Sequence, residues 1–478
     1  MNNQRLELVA DFYEYTMSNG YLNKKMENQI AYFDVFFRKV PDEGGYAIIA
    51  GLEQIINYIK NLSFDEEDIN YLRKQNKFSE EFLNYLENFR FTGDVWAIPE
   101  GTVVFPNEPL ITVRAPIIQA QLLETMLLLT TNHQSLIATK TSRIVKEAQG
   151  RPVMEFGARR AHGINAAVEG ARAAIIGGAI GTSCTLSAKE FNVPASGTMA
   201  HSWVQSFDSE YEAFKTYAEI YPDDCTLLID TYNTIESGLP NAIKVFNEVL
   251  KPKGYKPKAV RLDSGDLAYL SKKVRKILDE AGYTECKICA TNSLDEYLIK
   301  SLIEQDAKID SFGAGENLIT AKSEQVFGGV YKLVGIEKDT KIIPKIKVSE
   351  NVVKVTNPGF KKVYRFYDNE SQKAIADVIA LSDEIIDERE YMIFDPQNPW
   401  KKKLIKDYTI RELQEKIFEN GKLIYKSPTL EEIAKKSKKE LNSIWEEVKR
   451  IENPHKYYVD LSKKLWILKN NMLNNIYF

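Results

Sequence analysis

Ala259-Val-Arg-Leu-Asp-Ser-Gly-Asp-Leu267 is a short apolar strand candidate that ends in a polar turn and runs into an amphipathic stretch, Leu267–Ala281. Residues two apart on a strand share a face, so Arg261 and Asp263 project together at its C-terminal end. The same unit recurs through the middle of the chain. Strands are expected at Val153–Phe156, Val193–Ser196, Thr226–Asp230, Ala259–Asp263, Lys287–Thr291 and Ile309–Phe312. Helices are expected at Ala213–Ile220, Pro240–Leu250, Leu267–Ala281 and Leu294–Gln305. Repeated strand–helix units imply parallel strands, in a barrel or a doubly wound sheet. Nearly every strand ends in a chemically rich turn, and a barrel gathers all such turns at one face. An open sheet would converge only those at its switch point, so the barrel is preferred.

Outward from this core the pattern changes. Before residue 140, Ala31–Arg38 reads as a strand, Leu52–Asn61 and Phe78–Phe89 as helices, and Thr92–Val113 as hairpins. Ile117–Ala138 reads as one long apolar helix. Beyond residue 340 the composition turns lysine-rich, with strands expected in Lys341–Val355 and Ala374–Ser382 and a charged helix over Leu430–Ile451. The division expected is an α+β domain over 1–140, an α/β barrel core over 141–340 and a mixed module over 341–478. The 478 residues exceed one ordinary core, in keeping with several domains.

Bulk properties narrow the function classes. A net charge of −4 argues against bulk nucleic-acid binding. Four cysteines make no disulfide framework, and the Cys286-x-x-Cys289 pair lies in a strand-like run with no second pair to complete a zinc site. No apolar run approaches membrane-spanning length and the N-terminus lacks an apolar signal region, so a cytoplasmic protein with no membrane partner is expected.

The turns carry the chemistry. Val193-Pro-Ala-Ser-Gly-Thr-Met-Ala-His-Ser202 sets the Thr198 hydroxyl and the His201 imidazole beside small residues that let a ligand approach the backbone. Imidazole can attack phosphorus or move a proton near neutral pH. Arg261 suits diphosphate oxygens, and Asp263 suits ribose hydroxyls or a divalent cation. Glu155-Phe-Gly-Ala-Arg-Arg160 sets an aromatic face beside two guanidinium groups, fit to stack a flat heterocycle and neutralise its carboxylate. Gly313-Ala-Gly-Glu316 follows a strand and can present backbone N–H groups to an anion. Each turn has a bland alternative, a structural ion pair or turn punctuation, and the case rests on several occurring together.

These segments, with Asp11-Phe-Tyr-Glu-Tyr-Thr-Met17, Phe91-Thr-Gly-Asp-Val95 and Pro99-Glu-Gly-Thr-Val-Val-Phe-Pro-Asn-Glu-Pro109, resemble the nicotinate phosphoribosyltransferase family. The resemblance runs from Asp11 to about Val363 and more weakly beyond. It implies an irregular α/β barrel of the type II phosphoribosyltransferase kind, in a homodimer with shared active sites. It implies condensation of nicotinate with phosphoribosyl diphosphate, with Mg²⁺ as cofactor and ATP as co-substrate. The phosphorylated histidine falls on His201. Nicotinate contacts fall on Tyr13 (from the partner subunit), Phe156, Arg159 or its neighbour Arg160, Thr198 and Ser183. Arg261 and Asp263 take the diphosphate and ribose positions, and Gly313, Gly315 and Glu316 the phosphate turn, although a threonine is common where Glu316 stands. The metal ligands are not implied, with Asp230 one candidate. Nicotinamide-using relatives carry an aspartate in place of Ser183, and quinolinate-using relatives are shorter and lack the histidine. A non-catalytic sensor or a phosphosugar isomerase on a similar barrel are the rival classes.

Overall fold

The computed structural model describes residues 6–350, 354–387 and 389–475, and the chain divides into two compact units. One is formed by residues 1–136 together with 326–478, and the other by residues 137–325. The chain enters the second unit within the helix Glu124–Glu147.

The 137–325 unit is built on a parallel sheet. Its strands lie in the order Thr226–Leu228, Ala259–Leu262, Lys287–Ala290, Ser311–Ala314 and Val153–Glu155. Single parallel bridges extend it from Glu155 to Thr182 and from Thr182 to Ala195. The strands are short and almost wholly buried, as parallel strands covered on both faces must be. The helix Leu267–Glu280 follows its strand as expected, with Asp266 capping its N-terminus through Tyr269 N.

The order of these segments is cyclic, because the first strand of the unit pairs with the last. The ladder is not closed between Ala195 and Thr226–Leu228, so the expected barrel is seen here as an open parallel sheet. Val193–Ser196, expected as a strand, pairs only through the bridge at Ala195. Pro194 has no N–H to donate, and its carbonyl accepts from Thr182 N at 3.1 Å. Side chains take over across the gap, where Arg261 Nη1 reaches the Met199 carbonyl at 3.2 Å.

The other unit joins both ends of the chain in one seven-stranded sheet. Strand Ile30–Phe37 pairs antiparallel with Ile111–Pro116 and with Gly329–Lys338, and Asp94–Ala97 pairs with Glu415–Glu419. Contacts therefore draw the boundaries differently from a division at residues 140 and 340, since strands cannot leave their backbone partners unpaired. A four-stranded sheet contains Lys361–Asp368 and Ala374–Leu381. Ile117–Ala138 is two helices, Ile117–Gln121 and Glu124–Glu147, rather than one. Of the strands expected in Lys341–Val355, only Lys341–Pro344 forms, and residues 351–353 lie outside the described residues. No helix among the described residues is long and apolar enough to cross a membrane.

Candidate active site

Three adjacent strands of the 137–325 unit deliver polar side chains to the same end of the sheet. Register sets Leu228 beside Arg261 and Arg261 beside Cys289, so the turns after these strands lie side by side. The Arg261 guanidinium is the hub. Its Nη2 lies 3.1 Å from Asp263 Oδ1, its Nε donates to Thr291 Oγ1 at 3.0 Å, and its Nη1 reaches Thr198 Oγ1 at 3.4 Å. The Thr291 hydroxyl in turn donates to Asp263 Oδ1. Asp263 is held from behind as well, because Asp230 Oδ2 accepts from Asp263 N at 2.6 Å and from Ser264 Oγ at 2.7 Å.

His201 opens the short helix His201–Gln205 on the far side of this network. Its Nδ1 lies 3.0 Å from Thr231 Oγ1 and its Nε2 lies 3.6 Å from Asp263 Oδ2. The ring is half-exposed and keeps access for a ligand.

The next edge of the sheet carries the aromatic turn. A Cβ on Gly313 would lie 2.5 Å from Phe156 Cδ2 and 2.7 Å from Thr291 Cγ2, so the Phe156 ring lies directly over that glycine. Only glycine admits such an approach. Arg159 is exposed, and its guanidinium makes no bond among the described residues, whereas Arg160 faces Glu316 at 3.9 Å. Ser183 is exposed and is tied in by its backbone N–H, which donates to the Glu155 carbonyl at 2.9 Å. The buried Glu155 carboxylate accepts from Thr182 Oγ1 at 2.6 Å and from Gly157 N. Burial pushes this carboxyl up and those two bonds pull it back.

Three family models together match nearly the whole chain. They describe the nicotinate phosphoribosyltransferase N-terminal domain (residues 8–132), the family proper (152–371) and the C-terminal domain (360–469). The nicotinate phosphoribosyltransferase of Bacillus subtilis (strain 168) is 44% identical over 472 residues, covering 98% of this chain and 96% of that protein. The chain belongs to the nicotinate phosphoribosyltransferase family. The Caenorhabditis elegans nicotinate phosphoribosyltransferase is 33% identical over 96% of this chain and 92% of its own length. Among solved structures, human nicotinic acid phosphoribosyltransferase superposes with a TM-score of 0.86 at 26% identity, covering 97% of this chain and 99% of that one.

The residues expected from sequence do not all meet at one place. His201, Asp263, Arg261 and Thr198 are joined by side-chain contacts, and the Asp230 carboxylate joins them by accepting from Asp263 N. Phe156, Gly313 and Gly315 form the adjoining turn, with the Phe156 carbonyl 3.3 Å from a Cβ built on Gly315. Glu316 turns its carboxylate to Arg160 and to Lys322, 3.4 Å away. Tyr13 stands in the other unit, on the helix Phe12–Asn23, and is 44% exposed.

Two contacts are not foreseen from sequence. Thr291 and Thr231 each follow a strand and each bonds a residue of the hub. The signal available was their place in the turns Thr291-Asn-Ser293 and Asp230-Thr231, but a threonine there is equally good turn chemistry. Among the described residues, no group of three or more His, Cys, Asp or Glu side chains converges as an ion cage. One oxygen does point to a cation: Asp230 Oδ1 is buried and has no hydrogen-bond partner. A single carboxylate oxygen left without a donor fits Mg²⁺, which keeps most of its waters and needs only one or two protein carboxylates. Cys286 and Cys289 are buried, and burial pushes the Cys286 thiol up to about 12.

Proposed function

We propose that this protein condenses nicotinate with 5-phosphoribosyl 1-diphosphate to give nicotinate mononucleotide and diphosphate, the entry to NAD synthesis from nicotinate. We further propose that ATP drives the reaction through a phosphohistidine at His201. The observation that carries this reading is the single network in which Arg261, Asp263, Thr198 and His201 meet at one sheet edge. That network is supported by family membership over nearly the full chain.

The chemistry follows from the geometry. The ring nitrogen of nicotinate attacks C1 of the phosphoribosyl group while the C1–O bond to diphosphate breaks, through a transition state of oxocarbenium character. Arg261 lies where charge collects on the departing diphosphate, and electrostatic stabilisation prearranged at such a position is commonly what an enzyme contributes most to rate. Asp263, held by Asp230, Thr291 and Arg261, accepts from the ribose hydroxyls. Phe156 stacks on the pyridine ring, and the unpaired Arg159 guanidinium takes the carboxylate. Ser183 and Thr198 offer hydroxyls to the same acid. Gly313, Gly315 and the backbone of Glu316 bend around the 5-phosphate, while the Glu316 carboxylate stays with Arg160 and Lys322. Asp230, through the oxygen that has no other partner, would hold Mg²⁺, whose positive charge would help neutralise the diphosphate.

For the coupling step, a proton on His201 Nδ1, donated to Thr231, leaves the Nε2 lone pair free. Nε2 bonds the γ-phosphorus of ATP as the bond to the β-phosphate oxygen breaks and ADP leaves. Tyr13 would reach a nicotinate bound by a second copy in a homodimer with shared sites. Support for that comes from the exposed apolar run on its helix, Phe12, Tyr13 and Met17. The cyclic strand order supports an irregular barrel, and metabolic use of these substrates fits the cytoplasm.

The deciding assay supplies purified protein with phosphoribosyl diphosphate and either nicotinate or nicotinamide, with and without ATP. The expected result is mononucleotide from the acid, faster with ATP. Ligand binding without turnover, or preference for the amide, overturns the reading.

A further inference from the structure

The sheet is thinnest where the nicotinate-facing turns leave it. Between Glu155, Thr182 and Ala195 the ladder is reduced to single bridges: Ile180 N to Val153 O, Glu155 N to Gly181 O and Ser183 N to Glu155 O, each at 2.9 Å, then Thr182 N to Pro194 O at 3.1 Å and Ser196 N to Thr182 O at 2.8 Å. The backbone bonds stop at Ser183 and Ser196, where the turns leave the sheet, so the side chains beyond them need further bracing. A fully buried carboxylate sits at this place. Glu155 is 0% exposed, and neither of its oxygens is idle. One accepts from Gly157 N in its own turn. The other accepts from the Thr182 hydroxyl, which also accepts from Cys184 N at 2.9 Å. Ser196 N donates to the Thr182 carbonyl at 2.8 Å, which links the third segment, the one leading to Thr198.

The turn has no slack on its other side. A Cβ on Gly157 would lie 2.5 Å from Ile319 Cβ and 2.8 Å from the Gly315 carbonyl. The Phe156–Arg160 turn is therefore wedged between the Glu155 carboxylate and the Gly313–Gly315 bend. Burying a carboxylate is costly unless its bonds repay it, and an apolar side chain would fill this position at less cost if packing were its only task.

We propose that Glu155 is a positioning residue for nicotinate, its carboxylate locking the Phe156–Arg160, Thr182–Ser183 and Ser196–Thr198 segments into one register through Gly157 and Thr182. This rests on the reading of those segments as the nicotinate site. The Glu155 carboxylate bonds Gly157 N and Thr182, and none of Arg261, Asp263 and the Gly313–Glu316 turn, the groups read as holding phosphoribosyl diphosphate. The substrates should therefore respond differently to its loss.

The test measures KM for each substrate, kcat and Tm for wild type, Glu155→Gln, Glu155→Ala and Thr182→Val. Glu155→Ala removes the bonds to Gly157 N and Thr182, and Thr182→Val those to Glu155 and Cys184 N, so each should raise the nicotinate KM about ten-fold or more, with the phosphoribosyl diphosphate KM within about three-fold of wild type. Glu155→Gln keeps an acceptor for Gly157 and a polar partner for Thr182, and should recover most of the nicotinate KM. The proposal is overturned if both KM values rise together with a fall in Tm, if the nicotinate KM does not move, or if Gln does no better than Ala. Thr182→Val keeps side-chain volume and decides the matter should Glu155→Ala not fold. A wild type that makes no mononucleotide would count against the nicotinate reading itself, whereas active variants with an unchanged nicotinate KM would count against Glu155 alone.

Discussion

His201 Nε2 lies 3.6 Å from Asp263 Oδ2, on the same carboxylate whose other oxygen takes Arg261 Nη2 at 3.1 Å. The residue read as the phosphoryl acceptor and the residue read as the ribose contact therefore meet at one side chain. A charge change on the imidazole would be felt at once at that carboxylate. On the roles proposed for the two residues, this contact would give ATP coupling a short physical route.

Replacing His201 with Ala should abolish nicotinate-stimulated ADP release and leave slow, ATP-independent transfer. Thr231→Val should weaken the coupling without removing it, because the imidazole loses only its Nδ1 partner. Undiminished ADP release in His201→Ala would refute the assignment of the phosphorylated residue.

Thr291→Val keeps shape and removes a hydroxyl that serves Arg261 and Asp263 together. Two part-buried polar groups then lose a partner, and the phosphoribosyl diphosphate KM should rise about ten-fold. The nicotinate KM should change little. Initial-rate kinetics with one substrate saturating would separate the two, and an unmoved diphosphate-substrate KM would show that the hydroxyl does not brace the pair.

Glu14 follows Tyr13 on the helix Phe12–Asn23 and is buried, and burial lifts its carboxyl to about 7 despite bonds from Thr125 and Asp11. The folded state then binds this proton more tightly than the unfolded chain. The stability tied to Glu14 is complete below the ordinary glutamate range and is lost as pH rises through about 7. Glu14→Gln cannot ionise, so its urea midpoint should fall less over that interval than that of wild type. Parallel pH profiles for the two proteins would contradict this.

Asp377 meets Arg365 through bonds of 2.8 and 2.6 Å, and both side chains are fully buried. Asp377→Ala leaves a buried guanidinium short of charge compensation and should cost about 3–5 kcal/mol of unfolding free energy. Glu108 behaves differently, because burial and the neighbouring Asp377 hold its carboxyl well above the usual range. A carboxyl pushed in that direction leans toward its neutral form, so Glu108→Gln should cost less than Asp377→Ala. Chemical denaturation of both variants checks the contrast, and equal losses would argue against it.

The sequence by itself determined the parallel strands of the middle segment, the turns after them, and most of the residues those turns bring together. Those features are local: a buried strand, a polar turn and an amphipathic helix each leave a short-range pattern in hydrophobic spacing. Arg261 and Asp263 were legible because alternation along one strand fixes their shared face. Tertiary structure alone decided that both chain ends share one sheet, that Val193–Ser196 pairs through a single bridge, and that Thr231, Thr291 and Glu155 support the site. Each of these depends on which distant backbone or side chain lies alongside. A threonine after a strand looks the same in sequence whether its hydroxyl faces water or braces an arginine.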